Sequence, residues 1–182
     1  SVLDSATGDG DHGTTIARAM DAVVKAAQDK ASEPIGEMLH ACGWEIMCSD
    51  GGSTGPLYGS LYMGMGKATK GKTELTGEDF AAMFEEGMAT LRKQTKAEPG
   101  DKTLIDALVP GVETLRASID AGKSIPEAMA DSAAAAAAGA AKTCDYQAKF
   151  GRARNLGERS IGPVDAGATS MSYLFAGFAA AL

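Results

Sequence analysis

The spacing of apolar residues is the feature that most restricts what this chain can fold into. Phe80, Met83, Phe84, Met88 and Leu91 recur three or four positions apart, which places them on one face of an α-helix. The same spacing recurs in segment after segment, whereas the alternation of period two that is typical of strands is hard to find. We therefore predict an all-α protein.

The ends of several predicted helices carry recognisable start signals. Capping boxes, in which a hydroxyl and an acidic side chain three residues later satisfy each other's backbone N–H groups, begin at Thr76 and Ser124. Ser32 with Pro34 opens another helix. The alanine-rich tract 131–141 is interpreted as a buried helix, because alanine is the best helix former and lets neighbouring helices approach closely. The predicted helices cover residues 13–29, 33–48, 54–69, 77–95, 103–121, 125–146 and 167–182.

Composition and charge limit the function classes. A chain of 182 residues with 45% hydrophobic and 23% charged residues suits one globular domain, residues 1–182. Its net charge of -7 argues against a nucleic-acid surface and against docking on anionic lipid. Three widely spaced cysteines indicate reduced thiols, which we expect to be small buried packing residues. With no membrane-length apolar run and no signal peptide, a cytoplasmic protein is expected.

The stretch GDGDHG, residues 8–13, places acidic residues in a glycine-rich turn before a predicted helix. It matches G-x-G-x-x-G, but the few polar residues before it cannot form the buried strand that a dinucleotide-binding fold requires. Asp4, Asp9 and Asp11 could converge on a hard cation such as Mg²⁺. An EF-hand is excluded, because the twelfth position from Asp9 is Met20 rather than Glu. Two interpretations stay open from the residues, an acidic helix cap and a metal site.

Two hydroxyl pairs stand at predicted helix starts, Thr14 with Thr15 and Ser53 with Thr54. Free backbone N–H groups and hydroxyls at such a position suit an anion. For the second pair, the loop SDGGSTGP (49–56) is equally well read as a plain connection between helices. Neither pair belongs to a P-loop, because G-x-x-x-x-G-K-[ST] is absent from the chain.

The last long loop concentrates cations in an acidic protein. Residues 149–162 contain Arg152 and Arg154, and arginine pairs with phosphate through two parallel hydrogen bonds. A solvated surface cluster is the simpler reading of such a loop taken alone. Asp165 follows the loop and is first of all the N-cap of the closing helix.

Together, five segments resemble one family, the nucleotide-binding L subunit or L domain of dihydroxyacetone kinases. The segments occur in the family's order over essentially the whole chain. They are LDSATGDGDHG (3–13), GGSTGPLYG (51–59), KAEPGDKT (96–103), GRARNLGERSIG (151–162) and DAGATS (165–170). The resemblance implies an antiparallel barrel or bundle of about eight amphipathic helices with the nucleotide held by inter-helix loops at one end. The family's first helix would then lie before Ser1.

The resemblance also implies a set of site residues. Two Mg²⁺ ions would be held by Asp4, Asp9 and Asp11, and the same ions would face the phosphates of ADP or ATP. Arg152 would be the catalytic cation. The nucleotide would be contacted by His12, Gly13, Thr14, Thr15, Ser53, Thr54, Thr95, Leu104, Arg152, Asp165, Ala166 and Gly167. Family members often have Gly at the position of Thr95 and Met at that of Leu104, so the base contacts differ from the family pattern.

The resemblance implies half of a kinase. The L subunit supplies the phosphoryl group, and the ketose is bound on a separate K subunit. The donor is either exchangeable ATP or a retained ADP recharged by a phosphohistidine protein of the phosphoenolpyruvate-dependent phosphotransferase system, and the GERSIG loop favours the second. A tetrulose kinase domain, or an ADP-binding module that docks on a transcription regulator, is the alternative.

Overall fold

The computed structural model describes residues 2–8, 10–49 and 52–182. Within those ranges the secondary structure is helical and contains no strand, which confirms the predicted all-α class. The α-helices are α1 (Val2–Thr7), α2 (His12–Asp29), α3 (Ile35–Cys48), α4 (Thr54–Ala68), α5 (Gly77–Leu91), α6 (Ile105–Asp120), α7 (Ile125–Lys142) and α8 (Ala166–Ala181).

The predicted helices match α2 to α8 with small differences at their ends. Both capping boxes are present, at Thr76 before α5 and at Ser124 before α7. Ser32 does not open α3, whose N-cap is Pro34 without a side-chain hydrogen bond. Helices α5 and α7 end earlier than predicted, because each is followed by a 3₁₀ segment, Arg92–Gln94 after α5 and Thr143–Asp145 after α7.

The chain divides into two compact units, residues 14–96 and residues 1–13 with 97–182. The single domain expected from the length therefore stays a prediction. In the first of these units α4 packs against both α3 and α5. Glycines allow the close contact with α3, because a Cβ on Gly36 would lie 2.7 Å from the Gly66 carbonyl oxygen.

In the other unit α7 packs against α6 and α8, and the alanine-rich tract is only partly buried. Ala136 and Ala140 are buried on the packed side, whereas Ala137 and Ala138 are exposed. The buried Ser132 donates its hydroxyl to the Gly111 carbonyl, 2.7 Å away, and so joins α7 to α6. The prediction of a buried helix holds for one face of α7.

Cys42, Cys48 and Cys144 are free thiols, as predicted, but only Cys42 is buried as a packing residue, and Cys48 is exposed. No helix within the described residues is long and apolar enough to cross a membrane.

Candidate functional site

The turn between α1 and α2 is built around the side chain of Asp4. Its Oδ2 accepts the backbone N–H of His12 at 3.1 Å, which caps the start of α2. Its Oδ1 lies so close to Gly8 that a Cβ there would collide with it. Gly10 has φ +79, a left-handed conformation that favours glycine. Asp4 therefore does serve as a helix cap, and its position beside the glycine turn leaves open a second role.

The ring of His12 is held from the start of α8. Its Nε2 lies 2.9 Å from the Ser170 hydroxyl, and that hydroxyl donates to the Gly167 carbonyl at 3.0 Å. The ring also forms a hydrogen bond with the backbone of Ala166. Burial lowers the pKa of His12 below its ordinary value, although Asp4 acts in the opposite direction. The ring of His12 is thus held in a fixed orientation against the start of α8.

The start of α8 is fixed by Asp165. Its Oδ2 accepts the Ala168 N–H at 2.7 Å, as the sequence predicted for an N-cap, and its own N–H donates to the Thr143 hydroxyl at 2.8 Å. Burial raises the pKa of Asp165 to about 6, against the lowering effect of the Ala168 hydrogen bond and of Lys102. Asp165 is therefore held by one hydrogen bond to α8 and by another to the residue that follows α7.

Leu104 lies against this turn. It is buried at the start of α6, and a Cβ on Gly167 would be 3.7 Å from the Leu104 Cβ. The loop before Leu104 is ordered by Asp106, whose carboxylate accepts the N–H groups of Thr103 at 2.7 Å and Gly100 at 2.5 Å. Two of the predicted nucleotide contacts, Leu104 and Gly167, are thus neighbours in space.

Arg152 is the first residue of the irregular 3₁₀ segment Arg152–Ser160. Gly151, directly before it, has φ +63 and makes the turn into the segment. The segment contacts α1, the helix that carries Asp4, and both Arg152 and Arg154 are exposed. The predicted cation and one predicted metal ligand therefore belong to two elements in contact.

The remaining predicted residues belong to the unit of residues 14–96. Thr14 and Thr15 continue the first turn of α2 after His12. Ser53 is the N-cap residue of α4 but makes no capping hydrogen bond with its side chain, and Thr54 is buried. Thr95 ends the 3₁₀ turn after α5 in extended conformation. The hydroxyls of the second pair thus stand at a helix start, as predicted.

The predicted metal cluster is described only in part. Asp4 is half-buried and Asp11 is exposed just before α2, whereas Asp9 lies outside the described residues. Among the residues that the structure does describe, no three acidic, histidine or cysteine side chains form a group able to hold a metal ion. The oxygen-only donors of Asp4 and Asp11, at the two ends of a glycine turn, fit the chemistry of Mg²⁺.

Sequence reasoning missed three polar residues of this region. Asp106 could have been found, since Thr103 and Asp106 have the spacing of a capping box. Ser170 belongs to the DAGATS segment but was not among the predicted site residues. Its contact with His12 joins positions 158 residues apart, which no local pattern indicates. No sequence pattern predicted that Lys102 is buried, because lysine is rarely buried and this lysine does not belong to a P-loop motif.

Comparisons with known proteins agree with the five segments. The family model described as the DAK2 domain matches residues 6–180. The chain is 40% identical over 172 residues to the PEP-dependent dihydroxyacetone kinase, ADP-binding subunit DhaL, of Escherichia coli, which covers 94% of this chain and 82% of that protein. It is 39% identical to the ADP-binding subunit DhaL of PEP-dependent dihydroxyacetone kinase 2 of Listeria innocua, over 92% of this chain and 78% of that one.

Longer proteins contain a similar part. The D-erythrulose kinase of Mycolicibacterium smegmatis is 35% identical over 93% of this chain, which corresponds to 30% of the kinase. The crystal structure of the dihydroxyacetone kinase of C. freundii matches with a TM-score of 0.68 and 27% identity, over 99% of this chain and 30% of that one. The resemblance to dihydroxyacetone kinase L subunits is confirmed, and the chain belongs to the DAK2 domain family.

Proposed function

We propose that this chain is the nucleotide-binding, phosphoryl-donor subunit of a dihydroxyacetone kinase. The observation that carries the proposal is the 40% identity, over nearly the full chain, to an ADP-binding subunit of such a kinase. The ordered polar groups around the starts of α2 and α8 support it, because a nucleotide site needs backbone N–H groups and fixed side chains at helix starts.

His12, Gly13, Leu104 and the turn at residues 165–167 are assigned to the nucleotide in the unit that contains α8. The ring of His12 is oriented for this contact by Ser170. The apolar side chain of Leu104 offers a flat surface to the base. The hydrogen-bonded turn of Asp165, Ala166 and Gly167 limits how far this side of the site can move.

Thr14, Thr15, Ser53, Thr54 and Thr95 are assigned to the nucleotide in the unit of residues 14–96. The two hydroxyl pairs would donate to phosphate oxygens at the starts of α2 and α4, where the helix dipole also favours negative charge. Thr95 would contact the base.

Two Mg²⁺ ions are assigned to Asp4, Asp9 and Asp11. When bound, the ions would neutralise phosphate charge and align the transferred group. The carboxylates themselves would keep the cations in place and, through Asp4, keep α2 capped at its first N–H. Any anion held by this acidic protein needs such local compensation, because the net charge of -7 repels it.

Arg152 is assigned to the transferring phosphoryl group. A preorganised cation is most useful where charge builds up in the transition state, and no general base is needed for this chemistry. The acceptor would be a ketose on a separate K subunit. The spent ADP would be recharged by a phosphohistidine protein of the phosphotransferase system, as the phosphoenolpyruvate-dependent relatives suggest. In the alternative form, suggested by the erythrulose kinase relatives, the chain exchanges ATP each cycle.

The nucleotide content of the purified protein tests the proposal. The protein is denatured, and the supernatant is run on an anion-exchange column. Near-stoichiometric ADP is the expected result. An empty protein that takes up ATP would replace the recharged form by the ATP-dependent one. No nucleotide under any condition would overturn both forms and favour a purely structural role.

A further inference from the structure

The loop at residues 96–104 contains a buried charge that has no role in the assignments above. Lys102 is 2% exposed, although lysine is among the residues least often buried. It also has φ +60, a left-handed conformation that costs free energy in a residue with a Cβ. Both features are unfavourable by themselves, so the contacts of the side chain must offset them.

The ammonium group joins three separate segments. Its Nζ donates to the Thr143 carbonyl at 2.5 Å and to the Pro163 carbonyl at 2.6 Å. Thr143 follows the last residue of α7, and Pro163 lies two residues before the N-cap of α8. Charged donors make stronger hydrogen bonds than neutral ones, so this group fixes both segments to the loop.

From these two carbonyls the contacts continue to His12. The Thr143 hydroxyl accepts the Asp165 N–H at 2.8 Å, and Asp165 caps α8 through the Ala168 N–H. One turn into α8, Ser170 holds the ring of His12 at 2.9 Å. A series of hydrogen bonds therefore connects Lys102 to His12, a proposed nucleotide contact.

Acidic groups near Lys102 oppose the effect of its burial. Burial lowers the pKa of Lys102, and Asp165, Cys144, Asp106 and Asp145 all act to raise it. The interaction is mutual, because Lys102 also lowers the pKa of Asp165.

We propose that Lys102 is a positioning residue for the nucleotide site. Its buried ammonium holds the turn at residues 165–167 and, through α8, the ring of His12. The inference rests on the proposed function, because its consequence for the chain is slow loss of ADP. Lys102 itself touches neither nucleotide nor substrate in this proposal.

Two measurements on Lys102→Met test it, in the full chain. The first is hydrogen exchange of the nucleotide-free protein, in which the amides of Asp165 and Ala168 should exchange about tenfold faster or more, because both hydrogen bonds of the ammonium group are lost. The second is the dissociation rate of ADP, which should rise by a similar factor, about tenfold. The exchange measurement does not depend on bound ADP.

Two control variants separate positioning from general destabilisation. Lys149→Met removes a lysine that contacts the same loop, through Asp101 at 2.6 Å, and should leave both measurements unchanged. Ser132→Ala removes a buried hydrogen bond between α7 and α6 and lowers stability away from the turn. Its ADP should dissociate at close to the wild-type rate.

The outcomes divide clearly. Faster ADP loss confined to Lys102→Met supports the proposal. Equal rates in Lys102→Met and wild type overturn it, and so does a Ser132→Ala or Lys149→Met variant that loses ADP equally fast. If the methionine variant does not fold, Lys102→Gln, which keeps a neutral donor, should show smaller changes in the same directions, and rates equal to wild type would again overturn the proposal. Wild-type protein that never holds ADP would overturn the proposed function, and this inference with it.

Discussion

At the scale of single residues, two opposing effects act on the ionisation of the Asp165 carboxyl group. The Ala168 N–H favours the ionised carboxylate, while burial opposes it and raises the pKa from its ordinary 3.8 to about 6. The folded protein therefore binds more protons than the unfolded chain between these values. This extra proton binding adds to the free energy of unfolding at low pH, and the contribution is lost as the pH rises from 4 to 6.

Asp165→Asn should remove this dependence on pH. The asparagine oxygen can still accept the Ala168 N–H, but nothing titrates. Each pKa unit corresponds to about 1.4 kcal/mol. The free energy of unfolding of the variant, relative to that of wild type, should therefore rise by about 2 kcal/mol between pH 4 and pH 7. Thermal melts of both nucleotide-free proteins across that range measure the gain. Melting temperatures that run parallel would show that Asp165 titrates near its ordinary value.

The metal assignment depends on Asp11, an exposed carboxylate just before α2. Replacing it by Asn removes one charged oxygen ligand of Mg²⁺, and the phosphates then lose part of their compensation. Asp11→Asn should abolish retention of ADP, and the far-ultraviolet circular dichroism should stay that of a helical protein.

Asp21→Asn is the matched control for Asp11→Asn. Asp21 is also exposed and lies further along α2. The substitution removes the same negative charge, but at a residue that has no proposed ligand role. It should keep its ADP. An Asp11→Asn protein that holds ADP at full occupancy in EDTA would disprove the assignment of Asp11 to a metal.

Arg152 and Arg154 form a second matched pair, since both are exposed on the same 3₁₀ segment. Arg152→Ala should lower turnover by about 10²-fold with ADP still bound, because a preorganised charge matters most in the transition state. Arg154→Ala should stay near wild type. The assay needs a matching K subunit and phosphoryl donor.

Two other results for this pair would change the interpretation. If both variants stay near wild type, the loop is a solvated charge cluster. If both lose turnover only at low K-subunit concentration, the loop is a docking surface for the partner.

At the scale of elements, the helices were predictable because each signal is local. A capping box needs only four consecutive residues, and those at Thr76 and Ser124 were read correctly. Helix α1 was missed, since six residues of mixed polarity carry no usable period. The tight ends of α5 and α7 were missed because apolar spacing does not distinguish a 3₁₀ turn from an α-helical one.

Close packing of α7 on α6 is set by one glycine in the alanine-rich tract. A Cβ on Gly139 would collide with the Asp106 carbonyl oxygen and lie 2.9 Å from Pro110 Cγ. Gly139→Ala should therefore destabilise the protein by about 1–3 kcal/mol despite the better helix propensity of alanine.

Gly177→Ala is the opposite case on α8. Nothing lies within 4 Å of a Cβ at Gly177, so only the helix propensity changes, which should stabilise the protein by up to about 1 kcal/mol. Thermal or urea unfolding compares the two variants. Similar stabilisation by both alanines would mean that α7 and α6 can separate slightly at no cost.

At the scale of the whole molecule, the sequence was sufficient for the fold class and family but not for the contacts of the site. The pairing of His12 with Ser170 and of Lys102 with Pro163 joins positions far apart in sequence. Such pairs follow from tertiary packing, which no local pattern encodes. All assignments of residues to the nucleotide and to metal ions stay predictions.

The proposed recharging of bound ADP can be tested on the whole subunit. A cofactor that is rephosphorylated in place must dissociate more slowly than the protein turns over, whereas a substrate must exchange in every cycle. The chain is loaded with labelled ADP and run for many turnovers with dihydroxyacetone, a K subunit, phosphoenolpyruvate and the phosphotransferase proteins, in excess unlabelled ADP. We expect the label to stay on the chain while dihydroxyacetone phosphate accumulates. Release of the label within one turnover, with product formed only when ATP is supplied, would identify the ATP-dependent form instead.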